Sequence, residues 1–239
     1  MLVPITSANQ FFRVTDSTRL WADIISGNGA HGLQAQGNRY NVNAQKMVYA
    51  SDTAEAALAE GGYYAALEWQ KRIGNNFVVW PNTPLPPVFS TAHKLWCFNL
   101  TAPATVIDVD DPNAQHAYQH HRLILRNPSR FYVSTQQLCT SVISAPGAAD
   151  GLKSPPARCP AQFAGKNHSN FAFVIRAQSL AAHQIDVWDL TIEFHPRGGG
   201  LVLRTTERMD WENPTFTFAS PNHLPAGLST SLQVPVLFS

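Results

Sequence analysis

One stretch of this chain reads as helix without competition, and it follows directly on a short apolar strand. Asp52 with Glu55 three residues on has the form of a capping box, and Ala54, Ala56, Ala57, Leu58 and Ala59 continue the pattern. The spacing predicts a helix from there to about Arg72, with a kink or break at Gly61-Gly62, where two adjacent glycines weaken it. Immediately before it, Lys46-Met47-Val48-Tyr49-Ala50 has high β-propensity. Further upstream, Phe11-Phe12-Arg13-Val14 reads as a strand with one arginine inside it. Residues 26–38 collect glycine and asparagine into a loop that closes in Arg39-Tyr40-Asn41.

The rest of the chain is richer in strands than in helices. Residues 74–92, with Pro81, Pro84, Pro86 and Pro87, predict an extended surface excursion. Leu95 to Leu100 and Thr105 to Val109 read as strands of a buried sheet, and a helix is expected near 134–143. Gly147 to Gly165 reads as a loop. Phe171 to Ile175, Ile185 to Trp188 and Leu201 to Leu203 read as further strands. From about residue 205 the prolines 214, 221, 225 and 235 interrupt any period, and this tail is expected to wrap the domain. No linker divides the chain, so the expectation is one loop-rich α+β domain over residues 1–239.

Composition narrows the function. Seventeen Lys and Arg against sixteen Asp and Glu leave a net charge of +1, which argues against holding long nucleic acids by an overall field. Such a balance leaves room for a small anionic ligand held by two or three placed cations. Charged residues make up 14% of the chain, beside roughly 25% in ordinary domains. No apolar run approaches the roughly 18 residues of a membrane helix, and the first residues lack a signal-peptide pattern. Cys97, Cys139 and Cys159 form no close pair and read as reduced structural thiols of a cytoplasmic protein.

Several chemical motifs can be set aside. His116, His120 and His121 cluster, but no acidic ligand stands at useful spacing, so they read as solvated histidines and no metal is expected. Gly27-Asn28-Gly29 and Gly198-Gly199-Gly200 lack the Lys-Ser/Thr of a phosphate loop, and the second reads as a hairpin turn. No Gly-x-Ser-x-Gly occurs.

What remains lies in the first sixty residues: Arg13 in a strand, Arg39-Tyr40-Asn41 closing a loop, Tyr49-Ala50-Ser51 ending a second strand, and Glu60 on the helix. Arginines clamp a pyrophosphate with forked hydrogen bonds, and a tyrosine stacks on a flat heterocycle. A carboxylate stabilises an oxocarbenium ion or orients an attacking water. The set suits breaking the bond between a ribose and a positively charged nicotinamide. Each residue also has a plain structural reading: Arg13 as a snorkelling edge residue, Tyr49 as core, Glu60 as a solvated helix face. Spacing alone does not separate the two.

The ordered motifs resemble the RES domain, a bacterial family named for its arginine, glutamate and serine. They are Phe12-Arg13-Val14, Asn38-Arg39-Tyr40-Asn41, Val48-Tyr49-Ala50-Ser51, Ala57-Leu58-Ala59-Glu60 and the stretch from Ala148 through Asp150-Gly151-Leu152-Lys153-Ser154-Pro155-Pro156-Ala157-Arg158. The resemblance covers roughly residues 10–178, with the segments at 74–92 and beyond 205 as additions. It implies a compact α+β fold with a central mixed or antiparallel sheet, similar to the NAD-binding domains of ADP-ribosylating toxins. It implies consumption of NAD as substrate, by hydrolysis, phosphorolysis or transfer of ADP-ribose to a protein. It also implies a toxin countered by a helix-turn-helix, Xre-like antitoxin; direct contact with nucleic acid or membrane is not expected, on the charge balance and apolar runs above. Carried across, Arg13 and Arg39 hold the pyrophosphate or ribose, Tyr49 packs on nicotinamide, Glu60 serves the reacting ribose, and Tyr40 belongs with the NAD-binding residues. The family's serine is replaced by Pro156, which offers neither hydroxyl nor backbone donor, leaving Ser51 or Ser154 to supply a hydroxyl.

Overall fold

The computed structural model describes residues 2–27, 45–72, 89–109, 111, 136–137, 139–140, 149–195, 211–220 and 222–237. The strands are β1 (Leu2–Ile5), β2 (Gln10–Asp16), β3 (Met47–Ser51), β4 (Phe89–Leu100), β5 (Ala104–Asp108), β6 (Gly151–Ser154), β7 (Gln162–Phe163), β8 (Lys166–Asn167), β9 (Asn170–Val174), β10 (Ala182–Phe194), β11 (Thr215–Phe218) and β12 (Ser231–Gln233). The helices α1 (Trp21–Ile25) and α2 (Ala54–Arg72) accompany them among the described residues. Ten strands form one sheet in the order β1-β5-β6-β9-β3-β2-β4-β10-β11-β12, and β7 with β8 forms a small hairpin. The β5–β6 pair is parallel and the other pairs are antiparallel, so the sheet is mixed and the chain is α+β.

Alternation along the strands fills both faces. On one face Phe11, Val48, Ala50, Phe98, Val106, Phe171 and Phe173 form a buried aromatic cluster. Phe11 meets Phe171 and Phe173 edge-on, each at 5.0 Å between centroids, contacts worth about 0.5–1.5 kcal/mol apiece beyond their burial. On the other face α2 lies on Leu95, Leu190, Ile192, Phe194, Phe216 and Phe218, with Phe12 and Val14 packed alongside. The small side chains of Ala54, Ala56, Ala57, Ala59, Ala65 and Ala66 let the helix come close to the sheet.

That close approach accounts for the two glycines. α2 runs through Gly61 and Gly62 without the expected break. A Cβ on Gly61 would stand 2.4 Å from the Val14 side chain, and one on Gly62 would stand 3.0 Å from the Phe216 ring. The glycines are contact points with β2 and β11, and tertiary packing outweighs their low propensity. The expected capping box is absent too. Thr53 caps the helix, its Oγ1 accepting from the Ala56 amide at 3.3 Å. Asp52 instead accepts from the Ser169 amide at 2.8 Å, and Glu55 pairs with Lys166 at 2.6 Å.

Three loop expectations are corrected by pairing. Residues 89–92, placed in the excursion, begin β4, where they pair with 191–194 of β10. The 147–165 loop contains β6 and β7. The proline-interrupted tail contributes β11 and β12, which extend the main sheet beyond β10. Near 134–143, residues 136–137 and 139–140 are helical. The proline-rich residues 73–88, the histidines 116, 120 and 121, the glycines 198–200 and the strand expected at 201–203 lie outside the described residues.

Gly151 shows how tightly the centre is built. A Cβ there would stand 2.3 Å from the carbonyl oxygen of Ala172 and 3.1 Å from the Phe173 Cα, both backbone atoms of β9. Gly151→Ala is therefore expected to destabilise the protein by about 1–3 kcal/mol, lowering Tm by on the order of 5 °C in thermal unfolding.

Candidate functional site

Pairing within the sheet is thinnest between β2 and β3. β2 pairs with β4 over seven positions and β3 with β9 over five, but β2 and β3 meet only at Phe12 and Ser51. Among the described residues the two strands pair no further, and Arg13 and Tyr49 lie on the two arms of this fork.

A polar row begins at the fork. Ser51, Asn170 and Ser154 stand directly opposite one another on β3, β9 and β6. Directly opposed residues of antiparallel strands share a face. One step along, Tyr49, Ala172 and Leu152 form the next row, where Tyr49 packs on a cluster with Met47. Ser51 and Ser154 are each 3% exposed. The Ser51 hydroxyl donates to Asn170 Oδ1 at 2.8 Å.

Glu60 comes down on this row from α2. Its Oε1 accepts from Asn170 Nδ2 at 2.6 Å and from the Ala157 amide at 3.1 Å. Ala157 directly follows Pro156, so the position where the family's serine is expected lies beside the glutamate, and there Pro156 is buried. One turn further along α2, Tyr63 carries the Arg158 guanidinium 3.4 Å above its ring, a cation–π contact that fixes the segment after Pro156.

The segment returning to β9 is fastened to the start of α2. His168 Nδ1 and the Thr53 hydroxyl share a hydrogen bond at 2.7 Å, while His168 Nε2 donates to the Phe163 carbonyl at 3.0 Å. Lys166 meets Glu55, and Asp52 exchanges bonds with the Ser169 backbone. Burial pushes the Asp52 carboxyl above its ordinary range, against the hydrogen bonds from Ser169. A raised carboxyl means that ionised Asp52 costs stability at neutral pH, a cost that vanishes once both folded and unfolded states are protonated. Asp52→Asn keeps the Oδ1 acceptor and is expected to raise Tm by a few degrees at pH 7. The gain should disappear below about pH 4 in a pH series of thermal melts.

Arg13 sits opposite Trp96 on β4. Burial lowers its guanidinium to about 10, with Tyr49 and Tyr64 opposing that shift and Arg19 reinforcing it. Its Nη1 is shielded from water and has no hydrogen-bond partner among the described residues. A cationic donor left in that condition is destabilising by about 1–3 kcal/mol, so the fold holds it for something other than its own stability.

The structure thus brings Glu60, Ser51, Ser154 and Tyr49 to one face beside the fork, with Arg13 on the neighbouring strand. Arg39 and Tyr40 lie outside the described residues. Sequence reasoning passed over Asn170, the residue joining Glu60 to Ser51. Its one visible signal was an amide side chain opening the otherwise apolar strand Phe171 to Val174. Other chemistries find little footing. Cys97, Cys139 and Cys159 are buried and free, and burial pushes their thiols up to about 11, 12 and 12, away from nucleophilic thiolates. Among the described residues no group of three His, Cys, Asp or Glu could hold a metal ion, and no helix is long and apolar enough to cross a membrane.

No curated protein gives a significant match to the chain. A family model described as RES domain matches residues 10–193, from the first residue of β2 to the penultimate residue of β10. The match takes in the fork, the polar row and Glu60, and leaves β1, β11 and β12 outside. The chain belongs to the RES domain family.

Proposed function

We propose that this protein breaks the bond between nicotinamide and ribose in NAD+, passing the ADP-ribosyl group to water or phosphate and depleting cellular NAD. Family membership supports an NAD-related, toxin-type function. The observation that carries the finer reading is Glu60, a carboxylate fixed by two N–H donors on Oε1 beside a fork in the sheet. Among the described residues its Oε2 carries no bond, and that oxygen is the one offered to a substrate.

In this reading Arg13 and Arg39 hold the pyrophosphate, Tyr49 packs on the nicotinamide ring, and Tyr40 joins them in holding NAD+. The glycosidic bond breaks with its electron pair leaving on nicotinamide, which departs neutral. The ribose is left as an oxocarbenium-like cation that the partly buried Glu60 stabilises at short range. Water then adds to that carbon and loses a proton, giving ADP-ribose, or phosphate adds in its place. The whole chain acts as one domain of the ADP-ribosyltransferase-like kind, without a metal, in the cytoplasm of the producing cell or of a target cell. A helix-turn-helix, Xre-like antitoxin is its counterpart, and it makes no direct contact with nucleic acid.

Incubating the purified chain with NAD+, with and without phosphate, and identifying products by mass spectrometry tests the reading. Free nicotinamide with ADP-ribose, or with its phosphorylated form when phosphate is present, is the expected result. Label from NAD+ recovered on protein would move the reading to an ADP-ribosyltransferase. Pro156 favours one further reading, because it places a side chain without a hydroxyl next to Ala157, whose amide holds Glu60. A catalytically inactive module of this kind would bind NAD+ yet form no product even at high enzyme concentration.

A further inference from the structure

We propose that Asn170 is the positioning residue of this site, setting the orientation of the Glu60 carboxylate without itself touching the substrate; this rests on the NAD-cleaving reading above. Glu60 is acceptor-only when ionised, so the amide must present Nδ2 to it, as the 2.6 Å contact requires. The amide oxygen then faces the Ser51 hydroxyl, which donates to it at 2.8 Å. A flipped amide would set Oδ1 against the carboxylate and leave Ser51 facing an N–H donor. The chain Ser51 to Asn170 to Glu60 therefore runs in one direction only, and the buried Ser51 locks it from behind.

The second donor on Oε1, the Ala157 amide, comes from the segment after β6, so the two donors approach from different parts of the chain, one on β9 and one in that segment. Together they hold Oε1, and with it the plane of the carboxylate. With Asn170 removed, a single donor remains and the carboxylate turns about its terminal bond. Terminal sp3–sp2 torsions have broad wells, so nothing intrinsic to glutamate restores the lost orientation. A misdirected charge weakens what Glu60 does in the transition state more than it weakens ground-state binding.

The test is steady-state NAD+ cleavage by the full chain as wild type, Glu60→Gln, Asn170→Ala, Ser51→Ala and the Glu60→Gln/Asn170→Ala double variant, with NAD+ affinity measured separately by calorimetry. Asn170→Ala is expected to lower kcat by about 10²-fold with affinity within about threefold, since small displacements at a reacting centre carry costs of that order. In the Glu60→Gln background the same change should cost no further activity beyond about threefold, because residues acting as a unit are non-additive. Ser51→Ala, which leaves the Glu60 contact in place, is expected to cost about 2–10-fold in kcat with the same split, and it serves should Asn170→Ala fail to fold. Asn170→Ala or Ser51→Ala at wild-type kcat, beside an inactive Glu60→Gln, overturns the positioning role and leaves the function reading standing. An equal Asn170→Ala loss in both backgrounds does the same. Glu60→Gln cleaving at the wild-type rate overturns the site assignment, and the Asn170 role with it.

Discussion

Glu60→Gln is expected to reduce NAD+ cleavage by about 10³-fold while leaving the protein folded. The exchange is nearly isosteric. The amide oxygen still accepts from Asn170 and from the Ala157 amide, so the bonds joining α2 to β9 and to the segment after β6 survive. What disappears is the negative charge, the one property an oxocarbenium-like ribose requires of this residue. Melting curves of the two proteins should superimpose within about 2 °C, while product formation separates them. Glu60→Ala would remove the charge and also empty the junction between helix and sheet, making loss of activity harder to interpret.

The second large effect is expected at Arg13, and it has opposite signs for stability and for binding. Burial holds the guanidinium near 10, and Nη1 finds no partner among the described residues. Arg13→Met keeps an unbranched side chain of similar reach and removes the buried charge. It is expected to stabilise the protein by about 1–3 kcal/mol, raising Tm by several degrees. The cost exists while the guanidinium is charged, so the gain should hold from pH 5 to pH 9 and fade only as pH approaches 10. The same variant is expected to weaken NAD+ binding by about 10–100-fold, the loss of a charge-assisted hydrogen bond to a phosphate. Calorimetry and thermal melts on one preparation measure both. A destabilised Arg13→Met with unchanged NAD+ affinity would make Arg13 a structural residue.

Much of the fold was legible wherever a signal was local. The strands carrying Arg13 and Tyr49 and the helix carrying Glu60 follow from apolar runs and alanine spacing within about ten residues. What escaped was set by partners distant in the chain. Asp52 and Glu55 have capping-box spacing, yet Ser169 and Lys166 engage both side chains and Thr53 caps the helix instead. Gly61 and Gly62 lower helix propensity, but Val14 and Phe216 need their bare backbone. β11 alternates threonine with phenylalanine over only four residues, between prolines, too short to outweigh its surroundings.

The site divides in the same way. Arg13, Tyr49, Ser51, Glu60 and Ser154 are all visible in ordered motifs. Asn170 lies 110 positions from Glu60 and 119 from Ser51, and only the pairing of β9 with β3 and β6 brings it between them. The fork is similarly invisible in sequence, because strand propensity says nothing about where two strands stop pairing.

The central claim is tested most directly by measuring free nicotinamide released per NAD+ consumed, in parallel for the wild-type chain and Glu60→Gln. One nicotinamide per NAD+ from the wild type, with release by Glu60→Gln lower by about 10³-fold, is the predicted result. Unchanged NAD+ at enzyme concentrations matching the substrate, or equal release by both proteins, would contradict it.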